Sequence, residues 1–552
     1  MKIKEAMFKP IPGALLFCVS TLALAQQADP APTPSASSST GIPQAPSAAA
    51  GPVTNELTTT LERTWTIKPR VTLTETLTDN VAINRTATSK KSDLITELAP
   101  GIRIEARTAR LKGYFDYALR GQFYAQTDNN QTQNSLNTFG TLEAVDNWLF
   151  MDFNGTIAQQ AISAFGAQSP GNGTINSNST ETATYRLSPY IRGQFAGTVD
   201  YLLRYSLSTT RSDGANLANT DLAQWVGQLK GSTPFQNLRW TIDGNQQTSE
   251  YSTGRKTEAE TLRAMGTYTL HPQFRVSLSA GRESNNYASL EQETHNTHGY
   301  GFDWTPTQRT QFSAFKEKRF FGDGHNIHFS HRFPMSSISY TDTRDVAVLP
   351  NQFATAGMGT AFDQFSPAVA QRCTQLLQQL LGDPPTQSQI DICVSSLFTT
   401  LTGLQPNQQV VSSFLTSHAT IRRNQQLGFT LFGVRNSITL MATRNESQSV
   451  LATSEFSDIF GQNNLIRQQG FSLNFSHRLS DLSNLTLLAS RQESTGTGTA
   501  TIKTTMTMYQ VNVSTKLGAK TTGSFSARHA QFDSTDVPYT ENAIIGTLSF
   551  IY

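Results

Sequence analysis

The sequence predicts an all-β protein: a transmembrane antiparallel β-barrel of about 22 strands, within a range of roughly 18 to 24, with a small helical-hairpin insert in one long loop. Three observations predict it. From Trp65 onward the chain runs in stretches of about ten to fifteen residues whose apolar side chains fall on alternate positions. Tight turns and long polar connections alternate between these stretches. The last residues, "IIGTLSFIY" from Ile544 to Tyr552, form an alternating strand rather than a frayed polar tail.

The composition fits that class. Of 552 residues, 37% are hydrophobic and only 15% charged, and the mean hydropathy is −0.35. A disordered chain would carry more charge, and a water-soluble globular one would bury more Leu, Ile and Val. Ser, Thr, Asn, Gln and Gly fill the difference, as strands with one apolar and one wet face require. A net charge of +2 gives a nucleic-acid partner little support.

At the start, "MKIKEAMFKP" supplies a positive region and "IPGALLFCVSTLALA" an apolar one. Ala23-Leu24-Ala25 then precede Gln26 as a small-residue cleavage site, so residues 1–25 are predicted to be a signal peptide. Cys18 lies inside it; the lipoprotein alternative lacks the small residues that normally precede a modified cysteine. Residues 26–60 are rich in Pro, Ala and Ser and read as a disordered leader. No later segment has the ~20 consecutive apolar residues of a membrane-spanning helix. An exported chain can still cross as a barrel, so residues 61–552 are expected to lie in the outer membrane of a Gram-negative bacterium.

Within that region, "VDYLLRYSLSTTR" sets Tyr201, Leu203, Tyr205 and Leu207 on one face and Leu202, Arg204, Ser206 and Ser208 on the other. "WTIKPRVTLTETL", "NSITLMATR" and "NLTLLASR" repeat the device. Tight turns are expected at 146–147, 196–198, 271–273, 334–336 and 433–436. Longer connections fall at 80–92, 127–133, 164–180, 213–219, 287–292 and 450–463. Outer-membrane barrels have this asymmetry, turns on the periplasmic side and loops outside. A soluble sandwich or propeller is the competing class; the rhythm, the export signal and the terminal aromatic strand weigh against it.

Closing the barrel requires the last strand to pair with the first, with Tyr552 at the membrane interface. Phe550 and Tyr552 also resemble the C-terminal recognition signal of outer-membrane barrel proteins. That resemblance implies insertion by the barrel-assembly machinery.

Residues 348–415 break the alternation. "SPAVAQRCTQLLQQLLGDPP" and "TQSQIDICVSSLFTTLTG" have helical spacing, with Ser366 as N-cap and Gly382 and Pro384 ending the first run. Cys373 and Cys393 fall on the apolar faces of these two helices. A Cys373–Cys393 disulfide suits an oxidising compartment, and two separate buried thiols are the alternative. The insert could cap the mouth, fold into the lumen or face a partner.

"SLSTTRSD", "SLSAGRES", "SYTDTRDV", "LMATRNES" and "LLASRQES" place Arg211, Arg282, Arg344, Arg444 and Arg491 at matching strand ends. Each shares parity with an upstream apolar residue: Leu207, Leu278, Ile338, Leu440 and Leu487. If that face meets lipid, the arginines form an outer rim able to contact lipopolysaccharide phosphates. The competing reading gives each a nearby acid, such as Glu283, Asp345 or Glu493.

His295, His298, His325, His328 and His331 suggest a metal, but a spacing of three on a strand sends neighbours to opposite faces. No G-x-S-x-G elbow, H-E-x-x-H or phosphate loop is present. Neither an enzyme nor a metal or cofactor site is predicted.

Further phrases occur in order: "TLTDNVAI", "KSDLITELAPGIRIEAR", "YFDYALRGQFYAQ", "NWLFMDFNGTIAQQAISAFG" and "DWTPTQRTQFSAFKEKRFFGDGHNIHFSHR". Together they resemble the outer-membrane barrel family associated with the PEP-CTERM/exosortase protein-sorting system. Where that family has "SPFG", this chain has Ser163-Ala164-Phe165-Gly166. The resemblance implies a conduit or anchoring component for exopolysaccharide or sorted surface proteins, with export components as partners beside outer-membrane lipid and lipopolysaccharide. It supplies no catalytic residue. A diffusion or substrate-specific porin and a structural or adhesion barrel with a closed lumen are the alternatives.

Overall fold

The computed structural model describes residues 64–83, 90–213, 219–252, 254–348, 370, 373, 414, 419–450, 463–498 and 501–552. The strands in chain order begin with β1 (Trp65–Thr78), β2 (Asp93–Arg107), β3 (Leu111–Tyr124), β4 (Gln131–Val145), β5 (Leu149–Ala161), β6 (Ser179–Phe195) and β7 (Val199–Ser212). Then come β8 (Thr220–Ser232), β9 (Leu238–Tyr251), β10 (Lys256–His271), β11 (Phe274–Asn285), β12 (Glu293–Thr307), β13 (Thr310–Arg319) and β14 (Gly322–Arg332). The remainder are β15 (Ser336–Ala347), β16 (Thr420–Phe432), β17 (Asn436–Ser449), β18 (Asn463–Arg478), β19 (Ser483–Gly498), β20 (Ile502–Lys516), β21 (Thr521–Asp533) and β22 (Tyr539–Ile551).

Among the described residues these 22 strands make one sheet in which each is antiparallel to the next. The sheet closes where β22 pairs with β1: Val71 lies opposite Phe550, Leu73 opposite Leu548 and Leu77 opposite Ile544. On the other face of this seam, hydroxyl pairs Thr72–Ser549 and Thr74–Thr547 meet at 3.1 and 3.3 Å. No strand edge remains to be satisfied in hydrocarbon. The predicted class, the strand number and the pairing of last strand with first all hold.

The rhythm of the connections holds as well. All five predicted tight turns fall at one end of the barrel and the predicted long connections at the other. Local backbone explains two of the turns. Asn147 has φ of 53°, and Ala196 and Gly197 have 51° and 67°. The consecutive left-handed Ala196 and Gly197 give the β6–β7 turn the twist of its flanking strands, while at β4–β5 the single left-handed Asn147 reverses the chain.

Strand alternation separates two surfaces. The outer one carries Leu73, Leu203, Leu262 and Leu278 at 39%, 43%, 60% and 69% exposure, a continuous apolar band that only lipid satisfies. Trp65, Trp148, Trp304 and Tyr552 border it near the tight turns, and Phe123, Tyr185, Trp225, Tyr300 and Tyr509 lie toward the long connections. Such aromatic girdles sit at the two membrane interfaces. The strands, 10 to 17 residues long, meet or exceed the ~9–11 residues that a tilted strand needs to cross. The chain is therefore an outer-membrane barrel of the Gram-negative envelope.

The signal peptide, the leader and nearly all of the 348–415 insert lie outside the described residues. Ala370 and Cys373 are helical. Cys373 is fully buried and disulfide-bonded; Cys393 lies outside the described residues.

Candidate functional site

The inner surface is polar, and charge is distributed unevenly around it. On β1 to β3, Arg70 and Arg103 share Asp116 at 2.5 and 3.3 Å, and Arg103 also holds Glu105 at 2.8 Å. On β5 to β7, Arg204 binds Asp152 at 2.9 Å and lies 4.2 Å over the Tyr190 ring, which stacks on Phe150. Farther round, Arg263 bridges Asp243 and Glu317 at 3.3 and 3.4 Å, and Arg319 bridges Glu283 and Asp345 at 2.6 and 3.1 Å. Each of these guanidiniums is compensated by a carboxylate one or two strands away, as desolvated charges on a wall must be. The inner faces of β17 to β20 instead carry residues such as Thr439, Ser472, Asn474, Ser490 and Asn512.

The connection between β5 and β6, residues 162–178, folds onto this inner surface. Its own polar groups are satisfied first. Asn178 accepts from the Ser163 amide at 2.8 Å and donates to the carbonyls of Ser163 and Ala167. Asn176 donates to the Ala167 carbonyl at 2.7 Å, and Gln168 to those of Ser163 and Gly166. A loop so closed can pack as a unit.

It packs against the wall from β18 round to β4. Ala164 and Phe165 join Ile466 of β18 and Phe414 in a buried cluster, and Phe414 also makes an isolated bridge to Ala161. Ala167 packs with Phe532 of β21, Tyr539 of β22 and Ile83. The Tyr539 hydroxyl donates to the Gln168 carbonyl. On the other flank, Gln133 of β4 donates to the Asn172 carbonyl at 3.1 Å and Tyr124 of β3 to the Gly173 carbonyl at 2.8 Å. Ile175 pairs with Ala82, its amide donating to the Val81 carbonyl at 2.9 Å. A side chain at Gly171 would collide with the Arg528 guanidinium.

Beneath Gly171 lies the most enclosed ion pair of the described residues: Arg528 donates to Glu541 at 2.7 and 3.1 Å, with side-chain exposures of 8% and 2%. Thr78 adds a third hydrogen bond to Glu541 at 3.0 Å. Wall strands β1, β21 and β22 are thus joined directly under the loop.

All five rim arginines lie on the outer face, in the halves of their strands nearer the long connections. Arg211 holds Asp221 in a bidentate pair at 2.8 and 2.9 Å, and Arg444 binds Glu446 at 2.6 Å. Arg344 donates to the Asp323 carbonyl at 2.5 Å and lies over Phe321. Arg282 and Arg491 have no carboxylate partner among the described residues.

The expected partners Glu283, Asp345 and Glu493 are not used. Glu283 and Asp345 each follow an arginine by one residue, so they point to the opposite face and bind Arg319 in the lumen. Glu493 shares the face of Arg491 but pairs with Lys503 at 3.0 Å. Phe550 and Tyr552 make an edge-to-face contact with centroids 4.7 Å apart, and the Tyr552 amide donates to the Pro69 carbonyl at 2.8 Å. Among the described residues no three His, Cys, Asp or Glu side chains converge on a metal position.

The sequence places 164–180 only as a long polar connection, and nothing in it singles out Arg423, Arg467 or Glu541. Small residues, Gly166, Gly171, Gly173 and Pro170 mark the loop in sequence, but the same marks suit a loop standing in water.

No family model and no curated protein matches the chain. Among solved structures it is similar to the outer membrane transporter YddB from Escherichia coli, with a TM-score of 0.45 and 9% identity over 88% of this chain and 80% of that one. The siderophore receptor PirA from Acinetobacter baumannii gives 0.43 and 7%, with the same shares covered. The ferric preacinetobactin receptor BauA from the same organism gives 0.41 and 10% over 88% and 80%. The overlap is too loose to transfer a residue or a ligand.

Proposed function

We propose that this barrel is a conduit in the outer membrane whose passage is set by the loop held against its inner wall. In keeping with the PEP-CTERM/exosortase resemblance, its cargo is an extracellular polysaccharide or a sorted surface protein. One observation carries the reading: residues 162–178 are fixed inside the barrel by hydrogen bonds from Tyr124, Gln133 and Tyr539. A barrel of this strand number encloses a wide lumen that needs narrowing or plugging, and a polar wall carrying ion pairs suits a hydrated cargo. A porin for polar solutes is the second reading, favoured by the ion pairs that Arg70, Arg103, Arg204, Arg263 and Arg319 make with carboxylates along the lumen wall.

Planar-bilayer conductance of the purified barrel, with and without residues 164–176, tests the conduit. A step that grows on deletion supports it, whereas a barrel that conducts in neither form removes it. Deleting the gene then separates cargoes. Loss of surface polysaccharide or of tagged surface proteins supports export, and slowed uptake of small polar solutes with an intact surface supports the porin.

A further inference from the structure

We infer that the outer face of β16 to β19 binds a phosphorylated glycolipid of the surrounding leaflet, through Arg423, Arg444, Arg467 and Arg491. The site is narrower than a ring of rim arginines and includes two residues outside that ring.

The register stacks these side chains. Arg423 lies opposite Glu446, which lies opposite Arg467. One outward-facing row nearer the apolar band, Gln425, Arg444, Gln469 and Glu493 align. In the next row Arg491 lies opposite Phe471, level with Ala442 and Leu427. Guanidinium groups therefore descend over three rows to the point where exposed Leu427, Phe471 and Tyr509 begin, at 43%, 50% and 55% exposure. A lipid headgroup lies beside the guanidiniums while its acyl chains follow the band below.

Charge favours an anion. Glu446 alone serves two arginines, taking Arg444 at 2.6 Å and Arg467 at 2.8 Å. Asp342, nearly buried, takes Arg423 through two bonds at 3.0 and 2.6 Å and also His325 at 2.9 Å. Arg491 has no partner among the described residues, because Lys503 occupies Glu493. The two shared carboxylates fix the direction of their guanidiniums without neutralising the group. Arg423, Arg444 and Arg467 remain 35%, 41% and 40% exposed, leaving N–H groups for phosphate oxygens. Elsewhere on the rim Arg211 is neutralised by Asp221, and Arg282 shares its surface with Glu260. The continuity of basic patch and apolar band points to a lipid rather than a soluble protein.

The test uses the folded barrel in zwitterionic detergent, titrated with bisphosphorylated lipid A and with the dephosphorylated form, with binding read by native mass spectrometry. The phosphorylated form is expected to bind about tenfold more tightly or better at low salt. The R444Q/R467Q/R491Q variant should reduce that preference to about twofold or less, and R211Q/R282Q should keep it. Equal binding of the two lipids to the wild type, or an equal loss in both variants, overturns the assignment. If the triple variant fails to show the heat-modifiable migration of a folded barrel, a salt titration of the wild type decides. The preference must collapse by about 0.5 M salt; one that survives overturns the site.

Discussion

The hydroxyl of Tyr539 on β22 donates to the backbone carbonyl of Gln168, a residue 371 positions earlier in the chain. That bond ties the inward connection to the strand that closes the barrel. It is buried at both ends, so its loss is not made good by bulk water.

Tyr539→Phe leaves the Gln168 carbonyl buried without its donor, a cost of about 1–3 kcal/mol borne locally. Hydrogen exchange of the amides in 162–178 should quicken about tenfold while the strands stay protected. Unchanged protection in the loop would show that packing of Ala164 and Ala167 alone holds it.

Removing one member of the enclosed Arg528–Glu541 pair strands the other charge. Glu541→Ala and Arg528→Ala are each expected to lower stability by about 3–5 kcal/mol. The double replacement R528M/E541L should cost less than either, because it removes both desolvated charges. Urea unfolding followed by heat-modifiable migration measures this. Singles within about 0.5 kcal/mol of wild type would mean that water reaches the pair.

At the β6–β7 turn, Ala196 holds a φ of 51°, a region costing an ordinary L-residue about 1–2 kcal/mol. Ala196→Gly relieves the strain but loosens the unfolded chain, for a net gain of about 0.5–1 kcal/mol. The same unfolding assay reads it, and a loss of stability would refute the turn geometry.

Acid should loosen the seam at the end nearest the long connections. Burial pushes the Asp79 carboxyl up, but hydrogen bonds from the Asn542 amide and side chain, and from Lys90, outweigh it and hold the group below the ordinary carboxylate value. A depressed folded-state value gives stability that is complete above the unfolded value of about 4 and is lost as pH falls through the lower folded one. Wild type should therefore exceed Asp79→Asn in stability at pH 7 and converge with it in acid. A gap that stays constant down to pH 2 would assign the effect to packing.

Period-two alternation was enough to read the barrel, its strand number and the side of each turn, because lipid acts on every second residue of a strand regardless of what lies across the lumen. The same parity put Arg211, Arg282, Arg344, Arg444 and Arg491 on the outer face. Parity says nothing about neighbours on other strands. Whether Arg467 meets Glu446 or Arg491 loses Glu493 to Lys503 depends on inter-strand register. The fate of residues 162–178 depends on walls contributed by β18 to β22, more than 280 residues downstream in the chain. A loop of small residues, Gly and Asn satisfies its own hydrogen bonds equally well outside or inside. Only the closed sheet, by bringing Tyr539, Tyr124 and Gln133 around one lumen, supplied the donors that drew it in.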